Sequence, residues 1–234
     1  MRCLFLSDAH YPRNDIFIDF LIDNYNKYDN IYILGDLFEF YYGYENFFYP
    51  HHIKLINALN IISNKTRLVL FEGNHEYRLE KIKQFVNAEV IKDSLIEQID
   101  GKKVFMQHGD TIDTKDLSYR IFRNSLKNSL TLSVINKISP TTLFNLSKSA
   151  SSFSKKITKS KKIKKIDEAF LNFAKNRIKG GADIVILAHT HRPSITKIDK
   201  GLYINSGDFF DNLSYITYET KRGFLLNFYE RGKK

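Results

Sequence analysis

Five short polar motifs interrupt the apolar runs of this sequence, and their residue types could bind metal ions. The motifs are Ser7-Asp8-Ala9-His10, Gly35-Asp36, Gly73-Asn74-His75-Glu76, His108-Gly109-Asp110 and His189-Thr190-His191. Imidazole, carboxylate and amide oxygen form a mixed nitrogen and oxygen donor set, which suits manganese, iron or zinc better than calcium. One coordination sphere is too small for the seven candidate ligands in these motifs. The sequence therefore predicts two divalent ions.

The position of the motifs along the chain is as informative as their composition. Each follows a predicted strand, and these strands are Arg2–Leu6, Asn30–Leu34, Arg67–Phe71, Lys103–Gln107 and residues 183–188. Any one motif alone is typical of an ordinary turn. Strand ends at one edge of an α/β sheet converge, however, and ligand sites of such folds lie there. Five such motifs in order predict a single site.

The elements that must position the motifs alternate in type. Apolar residues recur at helical spacing over residues 16–25 and 53–62, so the N-terminal hundred residues read as βαβ units. Leu95–Ile99 and Lys103–Gln107 flank Gly101 and predict a strand, a turn and a strand. Leu202–Asn205, Ser214–Tyr218 and Phe224–Tyr229 predict consecutive antiparallel strands. The paired histidines His51 and His52 are expected to be exposed at a helix start.

The positive charge of the chain is concentrated in one segment. There are 36 Lys and Arg against 26 Asp and Glu, a net charge of +10. Residues 115–179 contain sixteen of these basic residues and three of the acids. The segment lacks strand patterns, so helices are expected, and its charge predicts an anionic partner: nucleic acid, a membrane surface or a phosphorylated substrate. The lysine run from Lys155 to Lys165 is equally typical of a solvated helix face.

Composition also excludes some classes of protein. No apolar stretch approaches the roughly 20 residues of a membrane-spanning helix. Asp8 interrupts the apolar start before a secretory signal would be complete, which predicts a cytoplasmic protein. The only cysteine, Cys3, lies in the first predicted strand and is expected to be a buried small hydrophobe.

The five motifs together resemble the calcineurin-like metallophosphoesterase family, whose blocks are D-x-H, GD, GNH followed by D or E, a single H, and GH-x-H. Ala188 stands where the last block has glycine. The resemblance implies an α/β fold, specifically a four-layer α/β/β/α sandwich, with two divalent ions for which Mn²⁺ is favoured over Fe or Zn. It implies one ion held by Asp8, His10, Asp36 and His191, and a second held by Asp36, Asn74, His108 and His189.

The same resemblance assigns further roles. His75 would be the catalytic residue that stabilises phosphate charge or protonates the leaving oxygen. Glu76 would either orient His75 or be a surface acid at a helix start. Asp110 would either fix the ring of His108 or be an ordinary turn residue.

A narrower similarity is to the UDP-2,3-diacylglucosamine pyrophosphatases of lipid A synthesis. It rests on Gly35-Asp36-Leu37-Phe38-Glu39-Phe40, His108-Gly109-Asp110-Thr111 and His189-Thr190-His191-Arg192-Pro193. This similarity implies a body of residues 1–112 and 180–234 with a helical basic cap at 113–179. It implies a nucleotide-linked glycolipid as substrate and a peripheral position on the anionic inner membrane surface. The substrate-facing residues would be Asn74, His75, Asp116, Tyr119, Ser154, Lys161 and His189.

Other functions stay open from the sequence. His75 stands where this subfamily has arginine, so another phosphate ester, of a nucleotide or a phosphoprotein, is an alternative substrate. A non-catalytic binding module is a different class, and the intact ligand set argues against it. A nucleic-acid binder would use the basic segment, but the lysine run lacks interleaved aromatic residues for base stacking.

Overall fold

The computed structural model describes residues 1–13, 15–112, 135, 137–144 and 160–230. The longer helices are α1 (Ile16–Asn24), α2 (Ile53–Ser63) and α3 (Ser160–Lys179), and 3-10 helices span Tyr25–Lys27, Pro50–His52 and Leu79–Gln84. In chain order the strands are β1 Arg2–Leu6, β2 Asn30–Ile33, β3 Tyr41–Tyr42, β4 Arg67–Phe71, β5 Glu76–Tyr77, β6 Glu89–Ile91, β7 Ser94–Ile99, β8 Lys102–Gln107, β9 Ile184–Leu187, β10 Ser194–Ile198, β11 Gly201–Asn205, β12 Ser214–Glu219 and β13 Gly223–Phe228.

The strands form two main sheets. The first has the order β13-β12-β1-β2-β4-β6 and the second β10-β11-β9-β8-β7. Strands β1, β2 and β4 run parallel in the first sheet, as do β8, β9 and β11 in the second. The polar motifs follow β1, β2, β4, β8 and β9, so they leave the sheets at carboxyl ends that lie at the same edge.

A hydrophobic core fills the space between the two sheets. Cys3 and Phe5 of β1 belong to this core together with Met106 of the second sheet. Leu4 and Leu6, the alternate residues of β1, pack instead in the core shared with α1 and α2. This division follows from the pleat, because successive side chains of a strand point to opposite faces. Cys3 is fully buried, as its position predicted.

Helix α3 covers the outer face of the second sheet. Its Phe170 and Ala174 are buried against Val185 and Leu187 of β9. Burying a phenylalanine side chain contributes about 1.5–3 kcal/mol, so Phe170 anchors this end of α3 on the second sheet. The predicted mixed α/β fold is confirmed. Within the described ranges, no helix combines the length and apolarity needed to cross a membrane.

The C-terminal strands differ from the prediction in one respect. β12 and β13 are antiparallel neighbours in the first sheet, but β11 belongs to the second sheet and pairs parallel with β9. The chain crosses between sheets after Asn205, where a turn is built on the buried Asp208. Alternation of residues along each strand does not reveal which sheet a strand joins. The short strands β3, β5, β6 and β10 were not predicted.

The prediction that His52 is exposed is wrong. Its side chain is fully buried, with ring centroids 4.5 Å from Phe38 and 5.4 Å from Tyr49. Neither ring nitrogen has a hydrogen-bond partner among the described residues. Burial, with a smaller contribution from His51, lowers the pKa of His52 from 6.5 to about 3. The surrounding aromatic residues pack this loop around a neutral imidazole.

This burial predicts a pH dependence of stability. The unfolded chain takes up a proton at His52 below pH 6.5, whereas the folded protein does so only near pH 3. The free energy of unfolding should therefore fall with decreasing pH across that window, with His52 contributing up to about 1.4 kcal/mol per pH unit. His52→Phe keeps an apolar ring and should make the slope shallower by this amount. Urea unfolding of both proteins at several pH values measures it, and equal slopes would contradict the assignment.

Candidate metal centre

The loops after β1 and β9 bring together Asp8, His10 and His191. The Nε2 atom of His191 lies 3.1 Å from Oδ1 of Asp8, and the rings of His10 and His191 are 5.4 Å apart. Candidate ligand atoms of the three residues all lie within 4.8 Å of one another. Burial would raise the pKa of Asp8, but the neighbouring His191 and His108 outweigh it and lower that pKa. The group is therefore a buried anion beside two imidazoles.

A second group forms beside the first, around Nε2 of His108. Three other polar atoms approach this nitrogen: Oδ2 of Asp36 at 3.4 Å, Oδ1 of Asn74 at 3.2 Å and Nδ1 of His189 at 3.3 Å. The ligand atoms of Asp36, His108 and His189 lie within 4.8 Å of one another. The adjacent charge of His108 outweighs burial and holds the pKa of Asp36 well below its usual range.

These donors fit divalent cations. Oδ1 of Asp8 is buried, and Nε2 of His191 lies 3.1 Å from it, so a cation could bind between this oxygen and the imidazole. The second group collects two imidazole nitrogens and two oxygens at one point, where a cation would satisfy lone pairs that cannot all accept from each other. Carboxylate, amide and imidazole ligands are those of manganese, iron and zinc sites. The seven predicted ligands thus lie in two adjoining groups.

The backbone at these residues is unusual. Asp8, His10, Asp36, His189 and His191 all have φ between 46° and 69°, in the left-handed region. Such conformations cost about 1–3 kcal/mol each and persist at functional sites because surrounding structure enforces them. They turn the chain sharply, so that two side chains of one motif, such as Asp8 and His10, reach the same donor group.

Two glycines permit the loops to approach. A Cβ on Gly35 would lie 2.6 Å from Nδ1 of His108, and one on Gly73 would lie 2.2 Å from Oδ1 of Asp36. Gly35 also has φ of 94°. Both motifs therefore need glycine for close packing, and Gly35 needs it also for its left-handed backbone.

Glu76 supports the loops that contain the donors. It is fully buried at the start of β5, so the reading as a surface acid is wrong. Its carboxylate accepts hydrogen bonds from the backbone N–H groups of Asp36, Phe38 and Gly73 at 3.0, 3.0 and 2.7 Å. Burial and the charge of Asp36 raise its pKa to about 7. Glu76 thus ties the GD loop to the GNH loop.

His75 is held by backbone groups. Its ring Nδ1 lies 2.6 Å from the carbonyl oxygen of Glu39. The backbone N–H of His75 donates to Oδ1 of Asp36 at 2.9 Å. Burial alone would lower the pKa of His75, but the charge of Asp36 and the Glu39 carbonyl outweigh it, so this pKa is raised. Nε2 is then the ring atom left for other partners.

Glu39 is a residue that the sequence reasoning missed. It forms a group with His10 and His75 whose candidate ligand atoms lie within 4.8 Å of one another. The available signal was its place in Gly35-Asp36-Leu37-Phe38-Glu39, three residues after the predicted ligand Asp36.

His108 is oriented by a carbonyl, with its Nδ1 2.8 Å from the oxygen of Leu34. Asp110 is buried nearby, and its charge is among the influences that raise the pKa of His108. The predicted substrate-facing residues Asp116, Tyr119 and Ser154 lie outside the described residues. Lys161 falls in helix α3, but its side chain lies outside the described part of the chain.

Comparison with known proteins assigns the family. The model of the calcineurin-like phosphoesterase family matches residues 1–193, which include all five motifs. The chain belongs to this family. As a calcineurin-like phosphoesterase it is a hydrolase that depends on divalent metal ions, and the two donor groups are the candidate sites for those ions.

Curated relatives of this calcineurin-like phosphoesterase match nearly its full length. It is 28% identical over 238 residues to the UDP-2,3-diacylglucosamine hydrolase of Pseudomonas savastanoi pv. phaseolicola, covering 97% of this chain and 95% of the relative. It is 31% identical over 206 residues to the protein of the same name from Pseudomonas fluorescens, covering 85% of this chain and 82% of the relative.

Solved structures share the fold at lower identity. A novel archaeal phosphodiesterase is 18% identical with a TM-score of 0.51, and the match covers 97% of this chain and 99% of that one. The phosphoesterase Yfce from E. coli is 14% identical with a TM-score of 0.50, covering 94% and 89%. These structures agree with the mixed α/β architecture of this calcineurin-like phosphoesterase.

Proposed function

We propose that this phosphoesterase hydrolyses the pyrophosphate of UDP-2,3-diacylglucosamine to UMP and 2,3-diacylglucosamine 1-phosphate. The observation that carries the reaction type is the pair of adjoining donor groups at the strand ends, centred on Asp8 and Asp36. The substrate is supported by relatives whose printed name is UDP-2,3-diacylglucosamine hydrolase and which align with most of the chain.

The proposed ligand sets follow the two groups. One ion would be held by Asp8, His10, Asp36 and His191, and the other by Asp36, Asn74, His108 and His189. Asp36 would serve both, in line with its position beside His108 and the effect of its charge on His10. Mixed nitrogen and oxygen donors suit manganese, iron or zinc, and Mn²⁺ is the proposed ion because the resemblance to the family favours it.

The chemistry divides between cations and side chains. Two bound cations lower the pKa of a water and offset the charge of the phosphate oxygens. His75 donates from Nε2 to a phosphate oxygen or to the leaving oxygen, since Nδ1 is engaged by the Glu39 carbonyl. The raised pKa of His75 keeps that donor proton available. Buried Glu76 holds the loops of Asp36 and Gly73 together while negative charge builds up on the phosphate oxygens.

The basic segment is the proposed contact with the lipid. Residues 113–179 would form a cap in which Asp116, Tyr119, Ser154 and Lys161 face the substrate, and its excess of lysines would meet the phosphates and the anionic inner membrane surface. The packing of Phe170 against β9 supports a cap anchored on a body of residues 1–112 and 180–234. The protein would act in the cytoplasm as a peripheral membrane protein.

A second candidate substrate follows from His75. The best-known members of the lipid pyrophosphatase subfamily that the chain resembles have arginine at this position, and histidine retains general phosphoester chemistry. A nucleotide or phosphoprotein ester is therefore the alternative substrate for the same centre.

A panel of three substrates tests the proposal. With Mn²⁺ present, kcat/KM should be highest for UDP-2,3-diacylglucosamine, lower for a UDP-sugar without acyl chains, and lowest for a simple phosphodiester. Burial of only two methylenes, at about 0.8 kcal/mol each, gives about tenfold discrimination, so the acyl effect should exceed that. Turnover of all three at the same rate would contradict the lipid assignment and favour a nucleotide or phosphoprotein ester as the substrate.

A further inference from the structure

Glu39 touches two functional histidines through different atoms. Its Oε2 lies 3.6 Å from Nδ1 of His10, and its backbone oxygen lies 2.6 Å from Nδ1 of His75. Its own N–H donates to the carbonyl of Tyr11 at 2.9 Å, which ties it to the loop of His10. Glu39, in the loop that follows Gly35-Asp36, thus contacts both the loop of His10 and the loop of His75.

We propose that Glu39 is a positioning residue that fixes the tautomer of His10 through its carboxylate and the ring of His75 through its carbonyl. The proposal rests on the function proposed above only in assigning His10 to a metal ion. It goes beyond that assignment by naming the group that makes His10 able to bind.

The buried carboxylate of Glu39 favours the tautomer of His10 that can bind a cation through Nε2. Nδ1 of His10 and Oε2 of Glu39 are both buried and face each other at 3.6 Å, and neither has a hydrogen-bond partner among the described residues. This distance is a charge contact and not a formed hydrogen bond. Because a carboxylate can only accept, its charge favours the tautomer of His10 with the proton on Nδ1, the nitrogen that faces it. The lone pair of Nε2 is then free for a cation, an arrangement common at histidine ligands of metal ions.

The carboxylate is held in place from its outer side. Arg13 pairs with Oε1 of Glu39, and its guanidinium lies 4.7 Å from the ring centre of Phe210. The backbone N–H of Phe210 donates to buried Asp208 at 3.0 Å, which fixes that loop. Glu39 therefore presents one oxygen to Arg13 and the other to His10. The competing explanation is that Glu39 only forms an ion pair with Arg13.

Matched variants separate these two explanations. Glu39→Gln keeps the shape and the backbone carbonyl, but its amide can donate to Nδ1 and so permits the wrong tautomer. Arg13→Met removes the ion pair but leaves the carboxylate beside His10. Glu45→Gln is the control, because Glu45 is an exposed acid six residues further on, paired with Lys81 and Arg78.

The measurement is Mn²⁺ titration of metal-free protein by calorimetry, without substrate. We expect Glu39→Gln to weaken one of two binding events by about 10–100-fold, the usual cost of losing a partner behind a ligand, and Arg13→Met to weaken it less. Glu45→Gln should match the wild type. Nitrogen-15 NMR of metal-free protein should show the proton of His10 on Nδ1 in the wild type and in Glu39→Asp, but not exclusively there in Glu39→Gln.

Two results would overturn the proposal: unchanged Mn²⁺ binding in Glu39→Gln, or equal losses in Glu39→Gln and Arg13→Met. If Glu39→Gln does not fold, a His10 proton found on Nε2 in the wild type or in Glu39→Asp overturns it as well. Failure of the substrate assay would leave these titrations unaffected, so the two proposals fail separately.

Discussion

His75→Ala is expected to lower kcat by about 10²–10⁴-fold, the usual contribution of a positioned acid or base, while two divalent ions still bind. The metal ions should stay because the side chain of His75 is absent from the two proposed ligand sets. The hydrogen bond from its backbone N–H to Asp36 is also independent of the side chain. Steady-state kinetics and metal analysis on the same preparation measure both quantities.

The control for this prediction is the structure of the GNH loop. Glu76 holds that loop through Gly73 and Asp36, so the truncated side chain should leave the fold intact. Thermal unfolding of the variant should stay near that of the wild type. If His75→Ala loses its metal ions, His75 is a ligand and the proposed sets are wrong.

Asp36→Asn is expected to have a larger effect than a change at any other proposed metal ligand. It should reduce activity by more than the roughly 100-fold that follows loss of a partner behind a ligand, because Asp36 is a proposed ligand of both ions. Asparagine tolerates the left-handed backbone found here at φ of 50°, so the loop should keep its shape. The neutral amide removes the negative charge that lies 3.4 Å from Nε2 of His108 and that would stabilise a nearby cation.

The comparison variant for Asp36→Asn is Asp110→Asn. Asp110 is also buried beside His108, but it is absent from the proposed ligand sets, and its Coulomb influence on His108 ranks below those of Asp36 and Asp8. The Asp110→Asn variant should lose less activity than Asp36→Asn and should still bind both ions. Equal losses in the two variants would contradict a special role for Asp36.

The main sheets and the donor groups were predictable because their signals are local. Each motif directly follows an apolar strand, and parallel strands place their carboxyl ends at one edge, so Asp8 and His189 could be brought together from sequence alone. Helices α1 and α2 followed from the spacing of apolar residues. These features depend on residues near each other in sequence or on general rules of sheet topology.

The remaining features depend on contacts between distant segments. The sequence left a surface acid open as one alternative for Glu76 because its partners, the N–H groups of Asp36 and Phe38, lie far away in sequence. His52 is polar by type, yet Phe38 and Tyr49 enclose it. The position of β11 in the second sheet is set by its pairing with β9, which alternation along the strand cannot reveal.

The most direct test of the dinuclear centre is a count of Mn²⁺ ions bound per chain, followed during titration of metal-free protein together with hydrolysis of UDP-2,3-diacylglucosamine. The wild type should bind two ions, with full activity reached only when the second binds, and Asp36→Asn should bind fewer than two. Full activity with a single ion per chain, or two tightly bound ions in Asp36→Asn, would contradict a centre in which Asp36 joins two cations.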